Sequence, residues 1–344
     1  MNRRLYLIAA AALIVIAGVS VYIAAKSSPA DIASNSDLTV LADSVPSVVS
    51  AKGWINSPPL GPADLRGKVV LYDFWTYSCV NCQRTLPHLK ALYDRYKGDG
   101  LVIIGIHTPE FDFEKDHGNV ERAVTHYGVT WPVALDDDMT IWNEFANQAW
   151  PAEYLTDRDG HLRQVRFGEG DYDAKENDVR TLLGIPSGAP RAAPAGADEI
   201  ETAAITPEIH FGLGFGAAQL ASSPQPLTKG TQSYTQPDPV PQDTFALSGA
   251  WSVTDQGVTP AEPGATLVLR YRGAEVNLVA GASAASVPVA VEFDGAPLTT
   301  LNVGAHDLYN VEANGPSGYH TLTFTPQGPG AVEFYAFTFG AGTK

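Results

Sequence analysis

The chain has 344 residues, of which 44% are hydrophobic and 17% are charged, and its formal net charge is −16. It is too long for one ordinary domain and apolar enough to build two cores. The acidic balance argues against a nucleic-acid partner or an anionic membrane surface, because phosphate would repel it, although solubility alone also accounts for such a charge. The only two cysteines lie three positions apart, which excludes a dispersed disulfide framework.

Residues 5–25 form an uncharged run whose helical length of roughly 30 Å matches the apolar core of a bilayer. Arg3 and Arg4 precede the run and Lys26 follows it, so the positive-inside rule places the N-terminus in the cytoplasm and the rest of the chain outside. A cleaved signal peptide is the alternative, but its apolar core is usually shorter. We predict a single transmembrane anchor at residues 1–26 and a tether rich in Ser, Ala and Asp at 27–47.

Residues 48–184 show the alternating strands and helices of an α/β domain, predicted as a mixed sheet with flanking helices. The apolar run at 69–75 predicts a central strand covered on both faces. Leucines and tyrosines at helical spacing after Cys82 predict a helix that ends before Gly98. The other predicted elements are a strand at 101–106, a helix at 120–127, an extended segment at 129–135, a hairpin with strands at 154–156 and 162–167, and a helix at 174–183.

Residues 185–203 place prolines among Ala and Gly, a composition that predicts an extended, unpacked interdomain linker. Residues 204–344 contain short runs in which apolar side chains alternate with others, bounded by Gly, Pro, Asn or Asp, and they contain no convincing helix. Leu267, Leu269 and Tyr271 form one such run, and Leu322 with Phe324 belongs to another. The second domain is therefore predicted to be an all-β sandwich or jelly roll.

The segment Cys79-Val80-Asn81-Cys82 follows a predicted buried strand and opens a predicted helix. A helix N-terminus carries partial positive charge and free N–H groups, which stabilise a thiolate, so Cys79 is the predicted nucleophile. The spacing keeps Cys82 close enough to attack a mixed disulfide. A zinc half-site is the alternative, but it needs two further ligands, and the histidines nearby show no paired spacing; these are His88, His107, His117 and His126.

Three residues near this motif fit the same chemistry. Asp73 lies in the apolar strand six positions before Cys79, where burial raises the pKa of a carboxyl, and it is predicted to take a proton from Cys82 unless it caps a loop. Pro87 is predicted to kink the active-site helix. Pro151 follows Trp150 at the start of a strand, and its isomer cannot be read from the sequence.

His107 and Glu110 follow the end of a predicted strand, where ligands often bind in α/β sheets. They are candidates for tuning the site or contacting substrate, and a loop-capping role is equally open.

Together, Asp73-Phe74-Trp75, the Cys-x-x-Cys segment, Pro87 and Pro151 resemble the motif of the thioredoxin superfamily. The long spacing from Cys79 to Pro151 resembles its TlpA and ResA branch. The resemblance implies that Pro151 is a cis-proline beside the disulfide, where it orients substrate backbone and blocks metal binding by the thiols. It also implies no cofactor other than the redox-active disulfide Cys79–Cys82.

The match is closer to the extracytoplasmic part of DipZ proteins. It rests on the stretches 74–84, 105–111, 150–155 and 167–172, and it continues from 206–208 to 337–340. This resemblance implies a carbohydrate-module-like β-domain after the thioredoxin-like domain. DipZ proteins begin with a multi-helix CcdA-like domain, whereas one span is predicted here. We therefore expect a separate membrane electron-transfer partner of the CcdA or DsbD type, and apocytochrome c thiols as one substrate class.

The sequence thus predicts a single-pass inner-membrane protein whose periplasmic domain is a thiol-disulfide oxidoreductase. The Val80-Asn81 dipeptide leaves the redox direction open. A thiol-dependent peroxidase is one alternative, because Thr76 lies three residues before Cys79, but Tyr72 occupies the position where that pattern has proline. A glycan-binding surface protein is the other, in which exposed aromatic side chains stack on sugars instead of packing in a core; the candidates are Trp251, Tyr271, Tyr309 and Tyr319.

Overall fold

A computed structural model describes residues 38–186, 191–192, 205–311, 318–328 and 332–340. The predicted membrane anchor at 1–26 and most of the predicted tether lie outside these residues. Across the described ranges, no helix is both long enough and apolar enough to cross a bilayer. The described parts of Met1–Trp75, His88–Ile106 and Thr130–Pro194 form one compact unit, and those of Thr76–Pro87, His107–Val129 and Ala195–Lys344 form a second.

The α/β domain contains a mixed sheet in the order β1-β4-β3-β2-β5-β6. Its strands are β1 (Gly53–Ile55), β2 (Val69–Trp75), β3 (Leu101–His107), β4 (Val133–Leu135), β5 (Ala152–Thr156) and β6 (Leu162–Phe167). Its helices are α1 (Val80–Tyr96), α2 (His117–His126), α3 (Thr140–Glu144) and α4 (Tyr172–Leu183). The predicted thioredoxin-like architecture is confirmed.

Strand β2 is central in this sheet, and all seven of its residues are buried, as its apolar run predicts. Helix α1 buries Leu86, Leu89, Leu92 and Tyr96 along one face, which matches their helical spacing. Burying each such side chain contributes roughly 1.5–3 kcal/mol. These two elements position the cysteine pair, because β2 ends four positions before Cys79 and α1, which contains Cys82, begins one position after Cys79.

Two helices start where a carboxylate accepts hydrogen bonds from backbone N–H groups of the first turn. Helix α2 begins at His117, ahead of the predicted start, because Asp116 Oδ1 accepts a hydrogen bond from the N–H of Asn119 at 3.0 Å. The short helix α3 was not predicted. The carboxylate of Asp136 accepts from the N–H groups of Ile141 and Trp142 at 2.8 and 2.9 Å, a contact that spans five and six residues and leaves little local signal.

The described residues from 205 onward form an antiparallel β-domain that is nearly closed into a barrel. Its strands run in the order β14-β13-β16-β11-β9-β10-β17-β12-β15, with β7 on β17 and β8 on β9. They are β7 (Ile209–His210), β8 (Gly230–Tyr234), β9 (Thr244–Val253), β10 (Val258–Pro260), β11 (Thr266–Tyr271), β12 (Glu275–Ala282), β13 (Val287–Phe293), β14 (Ala296–Val303), β15 (Asp307–Asn310), β16 (His320–Pro326) and β17 (Val332–Gly340). The predicted all-β class is confirmed.

Strand β9 joins the two halves of this sheet. Its first half pairs with β11 and its second half pairs with β8 and β10. Gly249 lies at the change of partner with a φ of 86°, in the left-handed region that favours glycine. Trp251 and Tyr271 are both fully buried in the core of the domain. For these two aromatic side chains, packing is confirmed over an exposed sugar-stacking role.

Both predicted connecting segments, the tether and the linker, contain a residue that contacts the α/β domain. Within the predicted tether, the N–H of Leu41 donates to the carbonyl oxygen of Leu162 in β6 at 2.8 Å. Within the predicted linker, Arg191 forms an ion pair of 2.8 Å with Asp173 on helix α4. The packed chain therefore begins before residue 48, and one residue of the predicted linker is held by a charged contact.

Candidate active site

The two cysteines occupy different environments at the start of α1. Both are free thiols; Cys79 is partly exposed, whereas Cys82 is buried, with 1% of its surface exposed. The N–H of Cys82 donates to Cys79 Sγ at 3.3 Å. Cys79 therefore caps the helix N-terminus with its sulfur, the arrangement that stabilises a thiolate. An accessible sulfur can attack a substrate, and a covered sulfur beside it can act second.

The three residues before Cys79 are held by a separate set of contacts. Thr76 Oγ1 lies 3.4 Å from His107 Nε2, and the ring of Tyr77 stacks on the ring of His107 with 5.8 Å between centroids. Burial lowers the pKa of His107 to about 3, so its imidazole is neutral. His107 is therefore a buried neutral ring that contacts Thr76 and Tyr77, in the segment that leads to Cys79.

Glu114 is a buried carboxyl in this region that the sequence reasoning missed. Its Oε1 accepts from Ser78 Oγ at 2.5 Å, and its Oε2 accepts from the N–H groups of Glu110 and Phe111 at 2.6 and 3.0 Å. Burial raises the pKa of Glu114 to about 7, against the opposing effect of these hydrogen bonds. A group that titrates near neutrality is thus bonded to the residue that precedes Cys79.

Glu110, one of the residues left open at the end of β3, makes a different contact. Its Oε1 lies 2.9 Å from His210 Nε2 of strand β7. Burial alone would lower the pKa of His210, but the hydrogen bond to Glu110 and the negative charges of Glu208 and Glu110 together outweigh burial, and the pKa is raised. The side chain of Glu110 therefore pairs with a histidine of the β-domain.

Asp73 lies on β2 as predicted and is 1% exposed. Burial raises its pKa well above the ordinary value, and the neighbouring Glu153 raises it further, whereas Lys175 lowers it. Glu153 is opposite Asp73 in the register of β2 and β5, and it forms a buried ion pair of 2.8 Å with Lys175 Nζ. The predicted raised pKa of Asp73 agrees with this environment, and its proton exchange with Cys82 stays a prediction.

The two prolines of the motif are also in place. Pro87 lies inside α1, which continues to Tyr96. Pro151 is buried, and the peptide bond between Trp150 and Pro151 is cis, the isomer that the resemblance implies. The roles of both residues stay predictions.

Two groups of side chains in the described ranges bring three possible metal-ligating atoms within 4.8 Å of one another, and neither group includes a cysteine. They are Glu110 with Glu208 and His210, and Asp157 with Asp159 and His161. One carboxylate in each group already has a partner, because Glu110 contacts His210 at 2.9 Å and Asp157 forms an ion pair of 2.7 Å with Arg163, which lies outside the group.

The fold and the pair of thiols at a helix N-terminus define a thioredoxin-like protein of the thiol-disulfide oxidoreductase class. Two family models match parts of the chain. The model described as "AhpC/TSA family" matches residues 57–165, and the one described as "Thioredoxin like C-terminal domain" matches residues 206–340. The first match falls on the α/β domain and the second on the β-domain.

Among curated proteins, the chain is similar to Protein DipZ of Mycobacterium bovis and of Mycobacterium tuberculosis, with 36% identity over 309 residues. This match covers 86% of the chain but only 42% of the DipZ length. The chain is also 33% identical over 119 residues to the thiol-disulfide oxidoreductase ResA of Bacillus thuringiensis, covering 35% of this chain and 66% of ResA. The predicted resemblance to DipZ and ResA proteins is confirmed.

A solved structure of a thioredoxin-like protein in its oxidized form also matches. Its sequence identity is 27% and its TM-score 0.39, and the match covers 43% of this chain and 97% of that protein.

Proposed function

We propose that the protein reduces disulfide bonds in other proteins outside the cytoplasm. The observation that carries this proposal is the asymmetry of the thiol pair, in which the sulfur of the partly exposed Cys79 accepts a hydrogen bond from the N–H of the buried Cys82. An accessible thiolate at a helix N-terminus is the nucleophile that disulfide exchange requires.

The reaction proceeds in two displacements. The Cys79 thiolate attacks one sulfur of the substrate disulfide, which forms a mixed disulfide and releases the other substrate sulfur as a thiolate. Cys82 then loses its proton and attacks Cys79 Sγ, so the Cys79–Cys82 disulfide forms and the second substrate thiol leaves. Two electrons pass from the cysteine pair to the substrate. Asp73 is the proposed acceptor of the Cys82 proton, since a buried carboxyl of raised pKa is suited to proton transfer.

The oxidised pair must be reduced again, and we assign this step to a membrane electron-transfer protein of the CcdA or DsbD type. The predicted span at residues 5–25 would keep the catalytic domain on the periplasmic side of the inner membrane, near such a partner. The similarity to DipZ and ResA supports this assignment. The disulfide of apocytochrome c, whose reduction yields its free thiols, is one proposed substrate.

Reduction of insulin disulfides with a thiol donor tests the proposal. Cys79→Ser is expected to abolish turnover, because the attacking sulfur is gone. Cys82→Ala is expected to accumulate the mixed disulfide, because the resolving sulfur is missing, and it also captures natural partners. Full activity of Cys79→Ser would rule out the mechanism. A reduction potential of about −120 mV, the value of a strong oxidant, would reverse the proposed direction.

A further inference from the structure

Arg84 connects the cysteine motif to the β-domain. It lies two positions after Cys82 in α1, and its Nη1 donates to Asn81 Oδ1 at 3.2 Å. Its Nη2 donates to Glu275 Oε2 at 2.6 Å. Asn81 is one of the two residues between the cysteines, and Glu275 is the first residue of β12. A single guanidinium therefore joins the motif to a carboxylate of the β-domain, within the second compact unit.

The carboxylate of Glu275 is itself held in position. Its Oε1 accepts from Asn277 Nδ2 at 2.9 Å, and Asn277 Oδ1 accepts from Asn310 Nδ2 of β15 at 3.0 Å. Asn277 is 2% exposed, whereas Asn310 lies at the surface. A charged pair whose carboxylate is oriented by a buried amide loses less side-chain entropy than a free surface pair.

Strand β17 has a glycine at the position where a side chain would collide with the ion pair of Arg84 and Glu275. Gly340 is opposite Glu275 in the register of β12 and β17. A Cβ at Gly340 would lie 2.6 Å from Arg84 Nη2 and 2.8 Å from Glu275 Oε2, which is too close for either atom to stay in place. Three strands of the β-domain, β12, β15 and β17, thus contribute to the position of the Arg84 side chain.

We propose that the β-domain sets the redox equilibrium of the cysteine pair, with Glu275 compensating and positioning the charge of Arg84 beside the motif. The proposal rests on the disulfide exchange described above. The physical basis is that a positive charge beside a dithiol motif favours the reduced form, which can carry negative charge, and that a carboxylate bound to the cation offsets this effect. Glu275 is a positioning residue, since it acts through Arg84.

Two substitutions separate this role from a merely structural one because they move the equilibrium in opposite directions. Glu275→Gln removes the negative charge bound to Arg84, so the reduced pair is stabilised and the equilibrium constant for its oxidation by glutathione disulfide is expected to fall about fivefold. Arg84→Gln leaves the Glu275 charge instead, and the constant is expected to rise about fivefold. For this two-electron couple each change corresponds to about 20 mV.

The experiment equilibrates the full-length chain with glutathione redox buffers and quantifies the Cys79–Cys82 disulfide. The Arg84→Gln/Glu275→Gln double variant removes both charges and is expected to return to within about twofold of the unmodified protein. Lys229→Gln and Asp255→Asn are matched controls, because they make the same charge changes in an exposed ion pair of the β-domain. Neither control should move the constant by more than about 1.5-fold.

Shifts of the two single variants in the same direction would overturn the proposal, as would no shift or equal shifts in the controls. If one single variant unfolds, the double variant still tests the proposal. An equilibrium constant for its oxidation far from that of the unmodified protein would show a structural effect and would contradict the proposal. A chain that forms no Cys79–Cys82 disulfide in any buffer would instead refute the proposed function itself, so the two failures are distinguishable.

Discussion

The buried carboxyl of Glu114 makes a quantitative prediction about stability and pH. Burial raises its pKa from an ordinary 4.5 to about 7. Below pH 4.5 the group is protonated in the folded and unfolded states, and its stabilising contribution is fully present. As the pH rises towards 7, the unfolded chain releases the proton while the folded chain keeps it, so this contribution is lost. The difference in pKa corresponds to about 3 kcal/mol of unfolding free energy.

Glu114→Gln isolates this effect, because an amide keeps the shape of the side chain and cannot ionise. Its oxygen can accept from the N–H groups of Glu110 and Phe111, and its NH2 can donate to the Ser78 hydroxyl, which rotates to accept. Urea unfolding at pH 4.5, 6, 7 and 8 measures the free energy of both proteins. Between pH 4.5 and 8 the unmodified protein is expected to lose about 3 kcal/mol more than the variant.

Glu121→Gln is the matched control, since it makes the same substitution at an exposed position of α2. Its curve should run parallel to that of the unmodified protein. If the plot of unfolding free energy against pH for Glu114→Gln is also parallel to that of the unmodified protein, the reasoning is refuted, because the Glu114 carboxyl would then titrate alike in the folded and unfolded chain.

Three further predictions concern the buried charges and the chemistry. Lys175→Met should lower the unfolding free energy measured in urea by about 3–5 kcal/mol, because it leaves the buried Glu153 unpaired. The control Lys229→Met, at an exposed position, should change the unfolding free energy by about 0.5 kcal/mol or less. Equal effects of the two substitutions would contradict this explanation. Asp73→Asn should slow resolution of a preformed mixed disulfide by about tenfold or more in stopped-flow measurements, and an unchanged rate would exclude Asp73 as proton acceptor. Hydrogen peroxide consumption with a thiol donor should stay near background, whereas fast turnover that survives Cys82→Ser would favour a peroxidase.

The described contacts also bear on the role of the β-domain. Of the four aromatic residues considered for sugar stacking, Trp251 and Tyr271 are core residues. The hydroxyl groups of Tyr309 and Tyr319 are bonded to Ala305 and to Asp243 within the domain, at 2.5 and 2.8 Å. The rings of Tyr309 and Tyr319 are partly exposed, so glycan binding at the β-domain stays a prediction for these two residues.

Local patterns carried much of the fold prediction. They predict three elements correctly: the strand at 69–75, the helix after Cys79 and the hairpin strand at 162–167. The signals for these elements are burial on both faces, helical spacing and turn residues, and each signal involves positions close together in the chain. Strand β1 and helix α3 were missed because they have three and five residues, too few to show a period. The burial of Asp73 was also predictable, since its neighbours in β2 are apolar.

The sequence by itself determined the cysteine pair, the helix that begins beside it, the raised pKa expected for Asp73 and the all-β class of the second domain, because each depends on residues close in the chain. Only the tertiary structure showed that Glu114 lies under Ser78, that Glu153 and Lys175 form an ion pair beside Asp73, and that Glu275 binds Arg84 from 191 positions away. A contact between distant charged residues leaves no periodic trace in a sequence. It arises when folding places both groups in the same partly dehydrated space, where their charges must be paired.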